Sequence, residues 1–267
     1  MKSQSPETAV VRRSIAALVV SVATVVASCA PQPPPELDYM RVSIDGQPTL
    51  GIVKRDVEAR GVVVFFHGLD HQEYSLIEDE PHQELTETLV NAGFAVVASK
   101  AGGNAYGNSA SQRNYRELAK EAVEHYRVAN VFLLAESMGA IAAANLLASG
   151  DPPQMLGLAA ISPVLNLAHP PAEHREAIAL SFPDKSIESV DPIGLPTDNF
   201  QSKKIRIYAS PEDPLVSRDA NALAFQARFG QVADISMVSC TGPHGDPSCV
   251  QADDLVKWFT QLESDAE

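Results

Sequence analysis

Three cysteines in 267 residues are too few for a disulfide framework. Bases are also scarce, with 20 Lys and Arg against 34 Asp and Glu, for a formal net charge of −14. A surface of that sign repels nucleic-acid phosphates and anionic lipid head groups, which argues against nucleic acid as a partner. The acidic run Glu78-Asp79-Glu80 reads as part of a solvated loop. Long apolar runs are missing too. The segment from Ser14 to Ala27 covers only 14 residues, short of the roughly 20 that a comfortable transmembrane helix needs. There is no internal repeat, and no low-complexity stretch beyond one proline tract. What is present is a hydrophobic fraction of 45%, enough for one α/β domain of about 200–250 residues that folds without a metal or disulfide staple.

The N-terminus reads as an address. Arg12 and Arg13 precede the apolar run, and small residues close it, which is the pattern of a signal peptide over residues 1–28. Val26-Ala27-Ser28-Cys29 resembles a bacterial lipobox. That resemblance implies lipidation of Cys29 and an extracytoplasmic domain anchored to the cell membrane. Residues 29–39 contain Pro31, Pro33, Pro34 and Pro35 and form a stiff tether. The other reading is an ordinary secretory signal with an incidental cysteine, or an uncleaved anchor. Glu7 in a long leader leaves Val11 open as an alternative start. Export suits the other two cysteines, Cys240 and Cys249, which tend to oxidise outside the cytoplasm. A bridge would close a short loop containing His244; the alternative is two free thiols.

From residue 40 to 267 the chain alternates strand-like and helix-like segments, which predicts a mostly parallel sheet covered by helices on both faces. Residues 61–66, 94–99, 130–135 and 155–161 are continuous apolar runs, as expected of strands buried on both sides. Residues 203–209 and 232–238 read as two more strands, and 41–54 as an antiparallel hairpin that starts the sheet. Helical spacing appears over 81–92, from Tyr115 to Tyr126, over 139–149 and at Leu255, Val256, Phe259 and Leu262. One stretch breaks the alternation. Residues 165–201 carry Pro170, Pro171, Pro183, Pro192 and Pro196. An insertion there lies above the carboxyl ends of the strands, where ligands bind in such sheets. It is either a small lid or a structural excursion.

The chemistry centres on Leu134-Ala135-Glu136-Ser137-Met138-Gly139-Ala140, between a buried strand and a helix of small residues. A serine on such a tight strand-to-helix turn is pushed out above the sheet, and the turn demands small flanking residues. Gly139 meets that demand on one side, and Ala135 stands where glycine is usual on the other. The helix that begins beside Ser137 points its positive end at a developing oxyanion.

With these residues the chain resembles the α/β-hydrolase superfamily over about residues 40 to 265. The carriers are Phe65-Phe66-His67-Gly68-Leu69, the elbow around Ser137, Pro211-Glu212-Asp213-Pro214-Leu215-Val216, and Gly242-Pro243-His244-Gly245. The elbow is similar to those of serine esterases and monoacylglycerol-lipase-like enzymes. The resemblance implies hydrolysis of a small-molecule acyl ester, without a cofactor, by nucleophile, acid and histidine in the chain order Ser137, Asp213, His244; a serine peptidase on the same fold and a non-catalytic ligand-binding surface lipoprotein are the alternatives. A serine hydroxyl is a weak nucleophile until a base takes its proton. His244 fits that part, since it alone among seven histidines sits in a Gly- and Pro-rich loop after the last strand. A carboxylate must orient the imidazole; Asp213 follows a strand, with Glu212 the alternative. The oxyanion needs two backbone donors, expected at Met138 and in the turn His67-Gly68-Leu69, with Leu69 favoured. Asn104 and Tyr106, in a glycine-rich loop after the second buried strand, are candidates to line the pocket, together with His67 and Gly68. His67 and His71 have metal-ligand spacing, but that spacing suits a helix and these lie in a loop, so no metal is expected.

Overall fold

The computed structural model describes residues 36–168, 170, 174–183 and 187–266. The expected signal peptide, Cys29 and the tether up to residue 35 lie outside the described residues. Among the described residues no helix is long and apolar enough to cross a membrane.

The continuous apolar runs become the middle of a nine-stranded sheet in the order β1-β3-β5-β4-β6-β7-β8-β9, with β2 paired to β3. Strands β4 (Gly61–Phe66), β5 (Phe94–Ser99), β6 (Val131–Glu136), β7 (Met155–Ile161), β8 (Lys204–Ala209) and β9 (Asp234–Ser239) are all mutually parallel. Every residue of β4 and β5 is buried. That is why these strands lack polar alternation: both faces are covered. Strands β1 (Leu37–Met40), β2 (Ser43–Ile44) and β3 (Gln47–Lys54) form the antiparallel start, and β3 joins the parallel part through β5. Pairing therefore begins at Leu37, inside the segment read as tether. Leu37 packs partly into the core opposite Lys54, while Asp38 and Tyr39 stay exposed, so the sequence there carries little burial signal.

Two apolar layers flank the sheet. On one side, α2 (Ser109–Tyr126), α3 (Gly139–Ser149) and α5 (Ala224–Phe229) pack through Leu118, Ala122, Ala143, Leu147, Phe225 and Phe229. On the other, α1 (Glu80–Asn91) and α6 (Ala252–Ala266) pack through Leu85, Leu89, Leu255, Phe259 and Leu262. Burying each such side chain is worth about 1.5–3 kcal/mol. The small residues of α3 let it lie close on the strands, and its whole inner run from Gly139 to Leu147 is buried.

Within 165–201 the described residues form α4 (Arg175–Ser181) and one-turn helices at Ile187–Ser189, Pro192–Gly194 and Thr197–Phe200. The segment is pinned at intervals. Leu167 N–H donates to Asp191 Oδ1 at 3.0 Å, and Asn145 Nδ2 donates to Val190 O at 2.7 Å. The start of the excursion is thus tied to its later part around Asp191, and that part to α3.

Candidate active site

All the chemistry sits at the carboxyl ends of β4, β6, β8 and β9. Ser137 follows β6 directly, with φ of 48°, a left-handed conformation that non-glycine residues rarely adopt. The turn is held by Ser137 N–H donating to Ile161 O (2.9 Å) and Val164 N–H donating to Ser137 O (3.0 Å). Gly139 is obligatory: a Cβ there would lie 2.2 Å from the carbonyl oxygen of Phe66. Ala135, at the other flank, is fully buried.

Asp213 and His244 converge on this serine from the ends of β8 and β9. His244 Nε2 lies 2.8 Å from Ser137 Oγ, and His244 Nδ1 lies 2.6 Å from Asp213 Oδ2. The other oxygen of Asp213 accepts the N–H groups of Leu215 and Val216, each at 2.9 Å, which fixes the carboxylate plane. The Asp213 side chain is only 2% exposed. Glu212 points elsewhere and accepts the Gly242 N–H at 3.2 Å.

The loop carrying His244 is braced from three directions. Cys240 and Cys249 are joined by a disulfide. Asp246 caps the turn that follows by accepting Ser248 N–H at 2.9 Å. Ser210 Oγ donates to Gly242 O at 2.7 Å, which ties the loop to the end of β8.

Comparison with known proteins adds a family. Residues 57–236 match the model of the family described as serine aminopeptidase, S33 (Hydrolase_4). The chain belongs to this α/β-hydrolase family. No curated protein sequence matches this S33 chain. Solved structures share its fold. Brefeldin A esterase, described as a bacterial homologue of human hormone sensitive lipase, superimposes with a TM-score of 0.64 at 16% identity, over 90% of this chain and 81% of that one. Est1E from Butyrivibrio proteoclasticus gives 0.61 at 16%, over 86% and 99%. A prolyl endopeptidase gives 0.60 at 11%, over 88% of this chain but only 40% of that one. The S33 chain thus spans less than half of the prolyl endopeptidase.

A cavity of about 120 Å³ opens at Ser137 and His244. Leu69, Met138, Val164, Leu167, Ile178 and Val216 give it apolar walls, and Gly68 and Tyr106 also line it. Burial, and then the charge of Asp70, pushes the Tyr106 phenol above its ordinary range. Two other expected lining residues are placed differently. His67 is 1% exposed and not in the cavity wall; its ring fills the turn, with Nδ1 2.8 Å from Gly68 O and Nε2 2.9 Å from Lys100 O. The ring is thus held between its own turn and the loop that follows β5. Asn104 is also outside the wall. Its amide donates to Asp70 Oδ1 (2.7 Å) and accepts Asp70 N–H (2.8 Å), so it ties two loops together instead. Its carbonyl further accepts Ser181 Oγ at 3.3 Å, which holds the end of α4.

The sequence reading missed a second imidazole beside the elbow. His82, in the first turn of α1, places Nε2 3.0 Å from Glu136 Oε2 and Nδ1 2.7 Å from Asp79 Oδ1. Burial lowers the basicity of His82, but hydrogen bonding and charge from Glu136 and then Asp79 outweigh it and push the pKa to about 9. Asp79 also caps α1 through its oxygen on His82 N–H at 3.0 Å. His71 packs edge-on against His82, with ring centroids 5.8 Å apart, and shares the cavity wall with Glu136. The only available signal was Glu136 inside the elbow motif; nothing local ties it to a histidine 54 residues earlier.

Proposed function

We propose that this protein is a serine hydrolase that cleaves carboxylic esters or related acyl bonds through an acyl-enzyme intermediate. The observation that carries the reading is the pair of contacts made by one imidazole, 2.8 Å to Ser137 Oγ and 2.6 Å to Asp213 Oδ2. Ser137 Oγ attacks the acyl carbon as His244 Nε2 takes its proton. Asp213 holds Nδ1–H and so fixes the tautomer and stabilises the imidazolium. The oxyanion is met by the backbone N–H groups of Met138 and Leu69, the former at the positive end of α3. His244 then returns the proton to the departing alkoxide. Water, deprotonated by the same nitrogen, releases the acid and restores the serine.

The apolar walls and modest volume favour a short, uncharged acyl group. Residues 165–201 serve as a lid, since Leu167 and Ile178 form part of those walls. Location outside the cytoplasmic membrane, with an anchor on Cys29, is supported by the basic and apolar leader and by Val26-Ala27-Ser28-Cys29. If so, Cys29→Ala releases the protein from membranes.

Peptidase action is the second reading, favoured by the family's description. An aminopeptidase site needs a carboxylate free to take the substrate's ammonium. Among the described residues Glu136 is the one acid in the cavity wall, and it is engaged by His82. That favours esters. The deciding experiment sets short p-nitrophenyl esters against aminoacyl anilides, with Ser137→Ala as control. A fluorophosphonate label should map to the peptide carrying Ser137. Anilide turnover exceeding ester turnover would establish the peptidase, and labelling elsewhere would remove Ser137 as nucleophile.

A further inference from the structure

We propose that His71, His82 and Glu136 form a binding site for a divalent cation of borderline softness, zinc above all, in the wall of the cavity next to the nucleophile elbow. One ligand atom from each of the three residues lies within 4.8 Å of the other two. In a tetrahedral zinc site with bonds of about 2.0–2.1 Å, neighbouring ligand atoms are about 3.3 Å apart. The His82 Nε2 to Glu136 Oε2 separation of 3.0 Å already approaches this. Only His71 needs to close in, and it comes from the loop between β4 and α1.

An independent observation points the same way. His71 Nδ1 is buried and has no hydrogen-bond partner among the described residues. A buried nitrogen left unsatisfied is unfavourable, so it calls for a ligand. The surroundings supply what a metal-bound histidine requires. With Nε2 on the cation, His82 keeps its Nδ1 proton and donates it to Asp79 at the 2.7 Å already present. A carboxylate behind a ligating imidazole fixes its tautomer and raises its donor strength. Coordination exchanges the Nε2 proton of His82, which leaves for bulk water, for the metal. Two imidazoles and a carboxylate suit zinc better than calcium or magnesium, which prefer all-oxygen shells. His71 and Glu136 both line the cavity, so the fourth position opens toward it and takes a water.

The inference is independent of the hydrolytic reading, and its test is too. The full-length chain carrying Ser137→Ala is stripped with chelator and titrated with Zn²⁺ in a calorimeter. The expected result is one saturable equivalent, with affinity reduced at least tenfold by His71→Gln and by Glu136→Gln. Asp79→Asn should reduce it about tenfold, through the ligand it orients. His71 lies on a loop outside the sheet, and unchanged circular dichroism of His71→Gln shows that loss of binding is not loss of fold. No saturable binding overturns the proposal. So does binding that survives His71→Gln, or binding that disappears only with His244→Ala, which would put the zinc on the other imidazole.

Discussion

Two adjacent residues, Glu136 and Ser137, each meet an imidazole whose far nitrogen meets an aspartate. One chain runs Ser137–His244–Asp213, the other Glu136–His82–Asp79. Their geometries are nearly alike, yet their end groups differ. A hydroxyl offers His244 a proton to take. A carboxylate offers His82 only a negative charge to balance, so His82 keeps its proton, with its pKa raised to about 9. The imidazole-aspartate pair is therefore a neutral piece of hardware. What it abuts decides whether it moves protons or holds them.

The sharpest way to break the comparison is to remove the hydroxyl. Ser137→Ala should lower ester turnover by about 10⁴-fold or more, read as burst and steady-state release of p-nitrophenol, with the protein still folded. Replacing the aspartates comes next. Asp213→Asn should cost about 10³–10⁴-fold in kcat, because the imidazole is then held in the wrong tautomer. Asp79→Asn should leave kcat within about tenfold of the parent, since His82 relays no proton in the reaction.

The remaining tests address stability. His82→Gln should destabilise the protein by about 2 kcal/mol, since it removes one partner of a buried ion pair. Thermal melting reads this as a midpoint lowered by about 4–8 °C for a domain of this size. The smallest effect is its pH dependence. The folded-state pKa of His82 is raised above its unfolded value near 6.5. Its stabilising contribution is therefore fully present below pH 6.5 and fades as pH rises through 9. In chelator-treated protein, the gap between parent and His82→Gln midpoints should narrow between pH 6 and 10. A constant gap would mean that the variant hurts by packing alone.

Much of this was legible in the residues and some was not. The parallel strands announced themselves because burial on both faces removes polar alternation, as in Gly61–Phe66 and Phe94–Ser99. The elbow was legible because a tight turn restricts residue size in the motif itself. Asp213 and His244 followed from their loops after strands; the alternative acid, Glu212, accepts the Gly242 N–H while Asp213 meets His244. Helix α2 starts six residues before its apolar pattern, at Ser109, because Asn108 caps it through the N–H groups of Ala110 and Ser111. The His82–Glu136 contact was invisible: it depends on where the start of α1 falls relative to the end of β6, a matter of sheet order and not of periodicity. His67 and Asn104, expected beside the pocket, hydrogen-bond between loops instead, since a polar residue near a site can be consumed in shaping its surroundings.

The crosslink between Cys240 and Cys249 closes the loop that bears His244, from the end of β9 to the approach of α6. Reduction would thus loosen that loop and let one side chain wander from its two partners. On the proposed mechanism, a thiol reagent that reaches this pair becomes a throttle on turnover.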